Sequence, residues 1–393
     1  MIKVLSVVGT RPEAIKMAPV IKELEKYSAE IRSVVCATAQ HREMLDQVLE
    51  LFDIQPDYDL DLMQPGQALS GLTARVLTAL DEVMAQEQPD WLLVQGDTTT
   101  VMVGALVAYY HRVQVGHVEA GLRTGDKFQP FPEEINRRIA DVLSDLYFAP
   151  TESNRQNLLR EGVPDDSILV TGNTVIDALR STVTRARHRV RQEWEPWLNG
   201  RRLLLVTAHR RENFGPPLEE ICQALAHIAR EYASDVHILY AVHPNPNVWE
   251  PVHAALGGIP NVILTPPLDY ETFVGLMDRA YLVLTDSGGL QEEAPGLGKP
   301  VLVLREVTER PEAVAAGTVK VVGTSYRRII EETTLLLDDG EAYERMAQAV
   351  NPYGDGRASQ RIVAALLERP VEPFVRACAT LNGMYAKAAE TRI

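Results

Sequence analysis

The sequence is poor in cysteine. Three thiols, Cys36, Cys222 and Cys378, are scattered over 393 residues. They form no paired framework and no CxxC, which excludes a disulfide scaffold and fits a reducing cytosol. Long apolar runs are missing too: the longest, VMVGALVAYY at 101–110, is too short to span a bilayer. The stretch before Arg11 holds Lys3 and only a short apolar run, less than a signal peptide needs. These features predict a soluble, cytoplasmic protein. Positive charge is in deficit, with 39 Lys and Arg against 54 Asp and Glu for a formal net charge of −15. That balance disfavours nonspecific binding to nucleic acid or an anionic membrane. An anionic ligand would need a local cluster of Arg and Lys. The sequence has no HExxH, no Cys–His cluster and no EF-hand pattern, so no metal is expected. GxGxxG, GxxxxGK[ST] and GxSxG are also missing.

What is present is alternation. Short apolar runs at 2–8, 31–37, 91–95, 113–118, 146–149 and 167–171 read as strands, with helical patterns between most of them. A second series follows at 203–207, 236–242, 261–264, 281–285, 300–304 and 319–322. Strands apolar throughout, alternating with helices, predict parallel sheets covered on both faces. The expectation is therefore an α/β protein of two Rossmann-like, doubly wound domains facing a central cleft. Residues 1–172 form the first and 173–357 the second, with a last amphipathic helix at 358–368. The first helix is expected over 13–27, with Met17, Val20, Ile21 and Leu24 on one face and Pro19 inside it. Residues 370–393 form a tail to which no role is assigned.

In open parallel sheets ligands sit at the carboxyl ends of strands, and between two such domains the cleft is the expected site. The strand ends deliver polar residues there. GTRPEAIK (9–16) brings Arg11 and Lys16 to a helix start, where free amides favour an anion. QGDTTT (95–100) brings Asp97, either as a helix cap or as a carboxylate aimed into the cleft. Strand 113–118 delivers Glu119, and the loop beyond delivers Glu133. Carboxylates converging near bound anions make a group able to move protons. Glu134 reads as a helix-start charge, and Arg123, Asp126 and Arg138 as residues that fix the loop. AHRREN (208–213) brings His209, a proton-transfer group, a phosphate ligand or a structural histidine, and Arg210; HPNPN brings His243. TDSGGLQEEAP (285–295) offers Ser287, Gly288 and Gly289 for close approach to a phosphate, with Glu292 and Glu293 one turn on, spaced for ribose hydroxyls. TERPE (308–312) adds Arg310.

Taken together these segments resemble the bacterial non-hydrolysing UDP-N-acetylglucosamine 2-epimerases. The resemblance also takes in TAQHREMLDQVL (38–49), GHVEAGLRTGD (116–126), PEEINR (132–137), TGNTVIDAL (171–179) and NPYGDGRAS (351–359), and it covers 1 to about 368 in family order. It implies a GT-B-like fold with the last helix crossing back onto the first domain. It also implies an isomerase that exchanges UDP-N-acetylglucosamine and UDP-N-acetylmannosamine by elimination and re-addition of UDP, with no cofactor, in a homodimer serving cell-surface polysaccharide synthesis. By position it makes Asp97, Glu119, Glu133 and His209 the catalytic set. Arg11, Lys16, Arg137 and Arg310 would hold sugar and diphosphate, Ser287, Gly288 and Gly289 the diphosphate, and Glu293 the ribose. Phe273 would stack near uracil, and the backbone at Leu268 would read its edge. Gln40, His41, Gln67, Arg210 and His243 match an activator site for a second UDP-N-acetylglucosamine in some members. Glu43 and Gly66 stand where those members carry Gln and Arg. A hydrolysing 2-epimerase is the alternative activity.

Overall fold

The computed structural model describes residues 1–38, 42–62, 66–372 and 374, without the side chains of residues 42–44. The apolar runs of the first half become strands β1 (Ile2–Val8), β2 (Ile31–Ala37), β3 (Tyr58–Asp59), β4 (Trp91–Gln95), β5 (Gln114–Val118), β6 (Leu146–Ala149) and β7 (Ile168–Val170). They form one sheet in the order β3-β2-β1-β4-β5-β6-β7, and every pair is parallel. Between them lie α1 (Arg11–Glu25), α2 (Arg42–Leu51), α3 (Leu69–Glu87), α4 (Thr99–His111), α5 (Glu133–Leu143) and α6 (Glu152–Arg160).

A long helix, α7 (Thr174–Glu193), and the short α8 (Glu195–Leu198) lead into the second series. Strands β8 (Arg202–Thr207), β9 (Val236–Ala241), β10 (Val262–Thr265), β11 (Leu282–Thr285), β12 (Val301–Val303) and β13 (Val319–Val321) pair in parallel in the order β10-β9-β8-β11-β12-β13. Its helices are α9 (Pro216–Glu231), α10 (Pro246–Leu256), α11 (Tyr270–Arg279), α12 (Leu290–Gly296), α13 (Pro311–Ala316), α14 (Tyr326–Asp338) and α15 (Gly340–Ala347). The last, α16 (Ala358–Leu366), packs on α1 and α7. This is the two-sheet α/β architecture expected from the sequence. No helix among the described residues is long and apolar enough to cross a membrane.

Two local outcomes differ from the sequence reading. Helix α1 begins at Arg11, two residues before the expected start. Its N-terminus is set by a capping box: Thr10 accepts from the Glu13 amide, and the Glu13 carboxylate accepts from the amides of Gly9 and Thr10. The helix runs through Pro19 because Met17, Val20, Ile21 and Leu24 are all buried. Each such side chain contributes about 1.5–3 kcal/mol, enough to offset the hydrogen bond that proline cannot make. Strand β3 was not expected, since two residues leave no periodicity to read.

Strand order reverses between β1 and β4 in the first sheet and between β8 and β11 in the second. At such a switch point the loops diverge to opposite faces and leave a crevice at the strands' carboxyl ends. The segments after β1 and β4 carry Arg11 and Asp97. Those after β8 and β11 carry His209 and Ser287.

Candidate active site

The two crevices meet in one cavity of about 680 Å³. That lies within the roughly 300–1,000 Å³ typical of small-molecule sites. It is lined from the first half by Arg11, Lys16 and Asp97, and from the second by His209, Arg210, His243, Leu268, Phe273, Ser287, Gly288, Gly289, Glu293 and Arg310. Arg11 crosses between the halves, its guanidinium donating to the Leu268 carbonyl at 3.4 Å.

On the second-half side the turn after β11 is tight. The Ser287 amide donates to Thr285 Oγ1 at 2.9 Å. A Cβ on Gly288 would stand 3.9 Å from guanidinium nitrogens of both Arg210 and Arg310. Two cations thus converge on a stretch of bare backbone, which a diphosphate can approach closely. A Cβ on Gly289 would meet Glu293 Oε1 at 3.4 Å, so that carboxyl flanks the same turn. Burial, reinforced by Glu292, pushes the Glu293 carboxyl up to about 8.

His209 sits at the end of β8 with its ring stacked on His243, centroids 5.5 Å apart. Burial lowers its pKa and keeps the imidazole neutral against the pull of Asp286. Asp286 was not singled out from the sequence, although it stands inside TDSGG. It is fully buried, and its Oδ2 accepts from the amides of His209 and Arg210 at 2.7 Å each and from Asn213 Nδ2 at 3.0 Å. Its Oδ1 lies 3.5 Å from His209 Nδ1. Asp286 therefore fixes the backbone of His209 and places a carboxylate beside its ring.

On the first-half side Glu119 ends β5 with φ +70°, a left-handed conformation unusual for a non-glycine residue and typical of functional positions. Its carboxylate is held from three elements. Oε1 accepts from Lys16 Nζ at 2.6 Å and from Asn173 Nδ2 at 2.9 Å; Oε2 accepts from Gln95 Nε2 at 2.6 Å. Burial opposes its ionisation, but Lys16, Arg310 and these donors outweigh burial and lower its pKa. Asn173 also donates to Glu292 Oε2 at 2.7 Å, and Glu292 pairs with Arg310. Burial raises the Glu292 pKa. Lys16, Glu119, Asn173, Glu292 and Arg310 thus form one buried chain running from the first half into the second. Glu119, Asn173 and Glu292 line a second, smaller cavity of about 240 Å³ rather than the main one, and Arg310 borders both.

Asp97 lines the main cavity. It does not cap α4, a task that falls to Thr98, whose side chain accepts from the Val101 amide. Asp97 Oδ2 is paired with Arg137, and its carbonyl accepts from Asn136 Nδ2 at 3.0 Å. Arg137 is buried and paired with Asp97 and Glu134. Glu133, at the first position of α5, lines neither cavity, and its buried Oε2 has no hydrogen-bond partner among the described residues. The loop residues do fix the loop. Glu134 accepts from the amides of Thr124 at 3.1 Å and Gly125 at 3.4 Å. Arg123 bonds Asp141 and Glu161, Arg138 lies 3.7 Å from Glu161, and Asp126 accepts from the Phe128 amide.

Of the expected activator residues, Arg210 and His243 line the cavity. Gln67 instead accepts from Arg75 on α3. Gln40 and His41 lie outside the described residues. No group of three or more His, Cys, Asp or Glu among the described residues is arranged to hold a metal ion.

The family model for UDP-N-acetylglucosamine 2-epimerase matches residues 22–367. The chain is 56% identical to a UDP-N-acetylglucosamine 2-epimerase of Yersinia pestis over 375 residues, covering 94% of this chain and 99% of that one. It is likewise 56% identical to the enzyme of that name from Escherichia coli K12 over 371 residues, covering 93% and 98%. Among solved structures, the UDP-GlcNAc 2-epimerase of Neisseria meningitidis bound to UDP-GlcNAc superposes with a TM-score of 0.86 at 50% identity, covering 93% of this chain and all of that one. A sequence match over most of the length, and a fold that brings cations and carboxylates to one cleft, agree: this chain belongs to the UDP-N-acetylglucosamine 2-epimerase family.

Proposed function

We propose that this chain interconverts UDP-N-acetylglucosamine and UDP-N-acetylmannosamine by eliminating and re-adding UDP, without net hydrolysis. The observation that carries the reading is the sharing of one cleft by two chemistries. The Ser287–Gly289 turn, with Arg210 and Arg310 converging on it, opens on the same cavity as Asp97 and as Lys16, the partner of Glu119.

The proton on carbon 2 is not acidic, because no carbonyl carbon adjoins it. Its removal becomes feasible when coupled to loss of UDP from carbon 1. The C2–H bond breaks, a C1=C2 double bond forms, and the C1–O pair leaves on the diphosphate. The products are enzyme-held UDP and a 2-acetamidoglucal. UDP then returns to carbon 1 while carbon 2 takes a proton on its other face. This route calls for no redox cofactor. It needs a retained diphosphate and proton-handling groups on both faces of the ring. Arg11, Arg310 and the Ser287–Gly289 backbone hold the diphosphate, with Glu293 on the ribose and Phe273 and Leu268 at the uracil. Asp97, Glu119, Glu133 and His209 form the catalytic set. Lys16 and Arg310 favour the ionised form of Glu119, so that it starts as a proton acceptor. His209, neutral and held at its backbone by Asp286, donates a hydrogen bond where charge develops on the departing diphosphate.

The product supplies activated mannosamine for cell-surface polysaccharide. Arg210 and His243 would also meet a second UDP-N-acetylglucosamine acting as activator. A second copy of the chain covers the apolar side of α5. There Ile135, Ile139 and Val142 share one helical face, and Phe128 and Phe131 are exposed just before it. Phosphorus NMR during turnover of UDP-N-acetylglucosamine separates the two activities. The proposal predicts an equilibrium of two UDP-sugars with free UDP only in trace. UDP rising in step with product would instead establish the hydrolysing activity.

A further inference from the structure

We infer that His117 is a doubly protonated imidazolium that positions Asp97 and Glu119 for proton transfer; the inference rests on the carbon-2 reading above. His117 is completely buried, one residue before the end of β5, and does not line the cleft. Its Nδ1 lies 2.6 Å from Asp141 Oδ1 on α5, and its Nε2 lies 2.7 Å from the carbonyl oxygen of Gly96. A carbonyl oxygen only accepts, so Nε2 carries a proton. Asp141 also faces Arg123 and the Gly121 amide, at 2.6 and 3.3 Å, which hold it as a carboxylate. Nδ1 therefore carries a proton too. Burial and Arg123 oppose the charge on the ring, and Asp141 outweighs them.

The position of this ring gives the bond its meaning. Gly96 immediately precedes Asp97 and has φ +82°, which favours glycine. Its amide donates to the Val118 carbonyl at 3.0 Å and its carbonyl accepts from His117, so the residue before Asp97 is pinned from both sides to β5. Two residues beyond His117, just past the end of the strand, stands Glu119, and Gln95, the residue before Gly96, donates to it. Through Asp141 the same ring is tied to α5, the helix that carries Arg137, the partner of Asp97, and Glu133. One cation thus ties together the ends of β4 and β5 and the last turn of α5.

The two ring contacts separate by substitution. In H117N the amide nitrogen takes the place of Nδ1, keeping Asp141 and losing Gly96; in H117Q it takes the place of Nε2, keeping Gly96 and losing Asp141. The inference predicts that H117N loses kcat by about 100-fold, the scale of a misplaced reacting group. Its KM and its UDP affinity stay within about twofold of wild type, and H117Q recovers most of kcat. Equal losses in both variants, tracking their melting temperatures, would overturn the positioning role. The charge is read separately, by 15N NMR of histidine-labelled wild-type protein. Both His117 nitrogens should still be protonated at neutral pH, where an ordinary imidazole has lost one proton. A neutral tautomer there would overturn the inference, whether or not the variants fold. The NMR reading needs no substrate. An inactive wild type would therefore count against the proposed reaction, with the state of His117 decided on its own.

Discussion

In the proposed reaction Glu119 is the side chain on which the chemistry turns, and its surroundings separate binding from turnover. Its three donors fix an anion that UDP does not need, so Glu119→Gln should bind UDP as wild type does and lose about 10²–10⁴ in kcat. Isothermal titration beside a turnover assay checks this, and unchanged turnover would remove Glu119 from the catalytic set. Glu293 makes a pH-dependent prediction. Its carboxyl is pushed up to about 8, so in the free protein it is protonated at neutral pH. Accepting both ribose hydroxyls needs the carboxylate. UDP affinity should therefore climb as pH rises from about 7 towards 8 and level off above it. Glu293→Gln should bind more weakly with a flat profile, and a wild-type profile already flat over that range would contradict the assignment. Asp97, His209 and the Ser287–Gly289 turn were legible because each follows an apolar strand directly. Asn173 was not legible as a ligand of Glu119, which lies 54 positions away, or of Glu292, 119 positions away. Only the folded chain brings these three together. The pairing of Arg137 with Asp97 was not legible for the same reason: nothing local shows that α5 presents it there.

Helix α1 shows how an element carries a pH response of its own. Glu13 closes its capping box from a buried position, and burial pushes its carboxyl up to about 7 from 4.5, against the pull of its hydrogen bonds. Between those values the folded chain binds more protons than the unfolded chain, so this group lowers stability as pH rises from about 4.5 to about 7 and adds no slope above that. Glu13→Gln keeps an acceptor for the amides of Gly9 and Thr10 and removes the titration. Across that window its stability relative to wild type should rise by roughly 3 kcal/mol, measured by urea unfolding at stepped pH. Parallel curves would contradict the account. The strands were readable because parallel strands buried on both faces are runs of Val, Leu and Ile, whereas the two-residue β3 leaves no such run. The start of α1 was placed late because apolar spacing marks where a helix is buried, while the capping box marks where it begins.

For the whole molecule, the cleft belongs to neither half alone. Arg11 reaches Leu268 and Asn173 bridges Glu119 to Glu292, so the site is complete only when both switch points face each other. The exposed apolar side of α5 points to a second copy. Val142 is 82% exposed, so Val142→Glu costs the fold little and places a charge in the contact. Light scattering should show wild-type dimer and variant monomer at equal concentration; an unchanged dimer would move the interface elsewhere. The account's central claim is that carbon 2 loses its proton and regains one while UDP stays bound. The direct measurement is turnover of UDP-N-acetylglucosamine in heavy water, followed by proton NMR and mass spectrometry of both UDP-sugars. The account predicts one deuterium at carbon 2 of the UDP-N-acetylmannosamine formed, and its gradual appearance at carbon 2 of the recovered UDP-N-acetylglucosamine. Epimerised product that retains the original hydrogen at carbon 2 would contradict it.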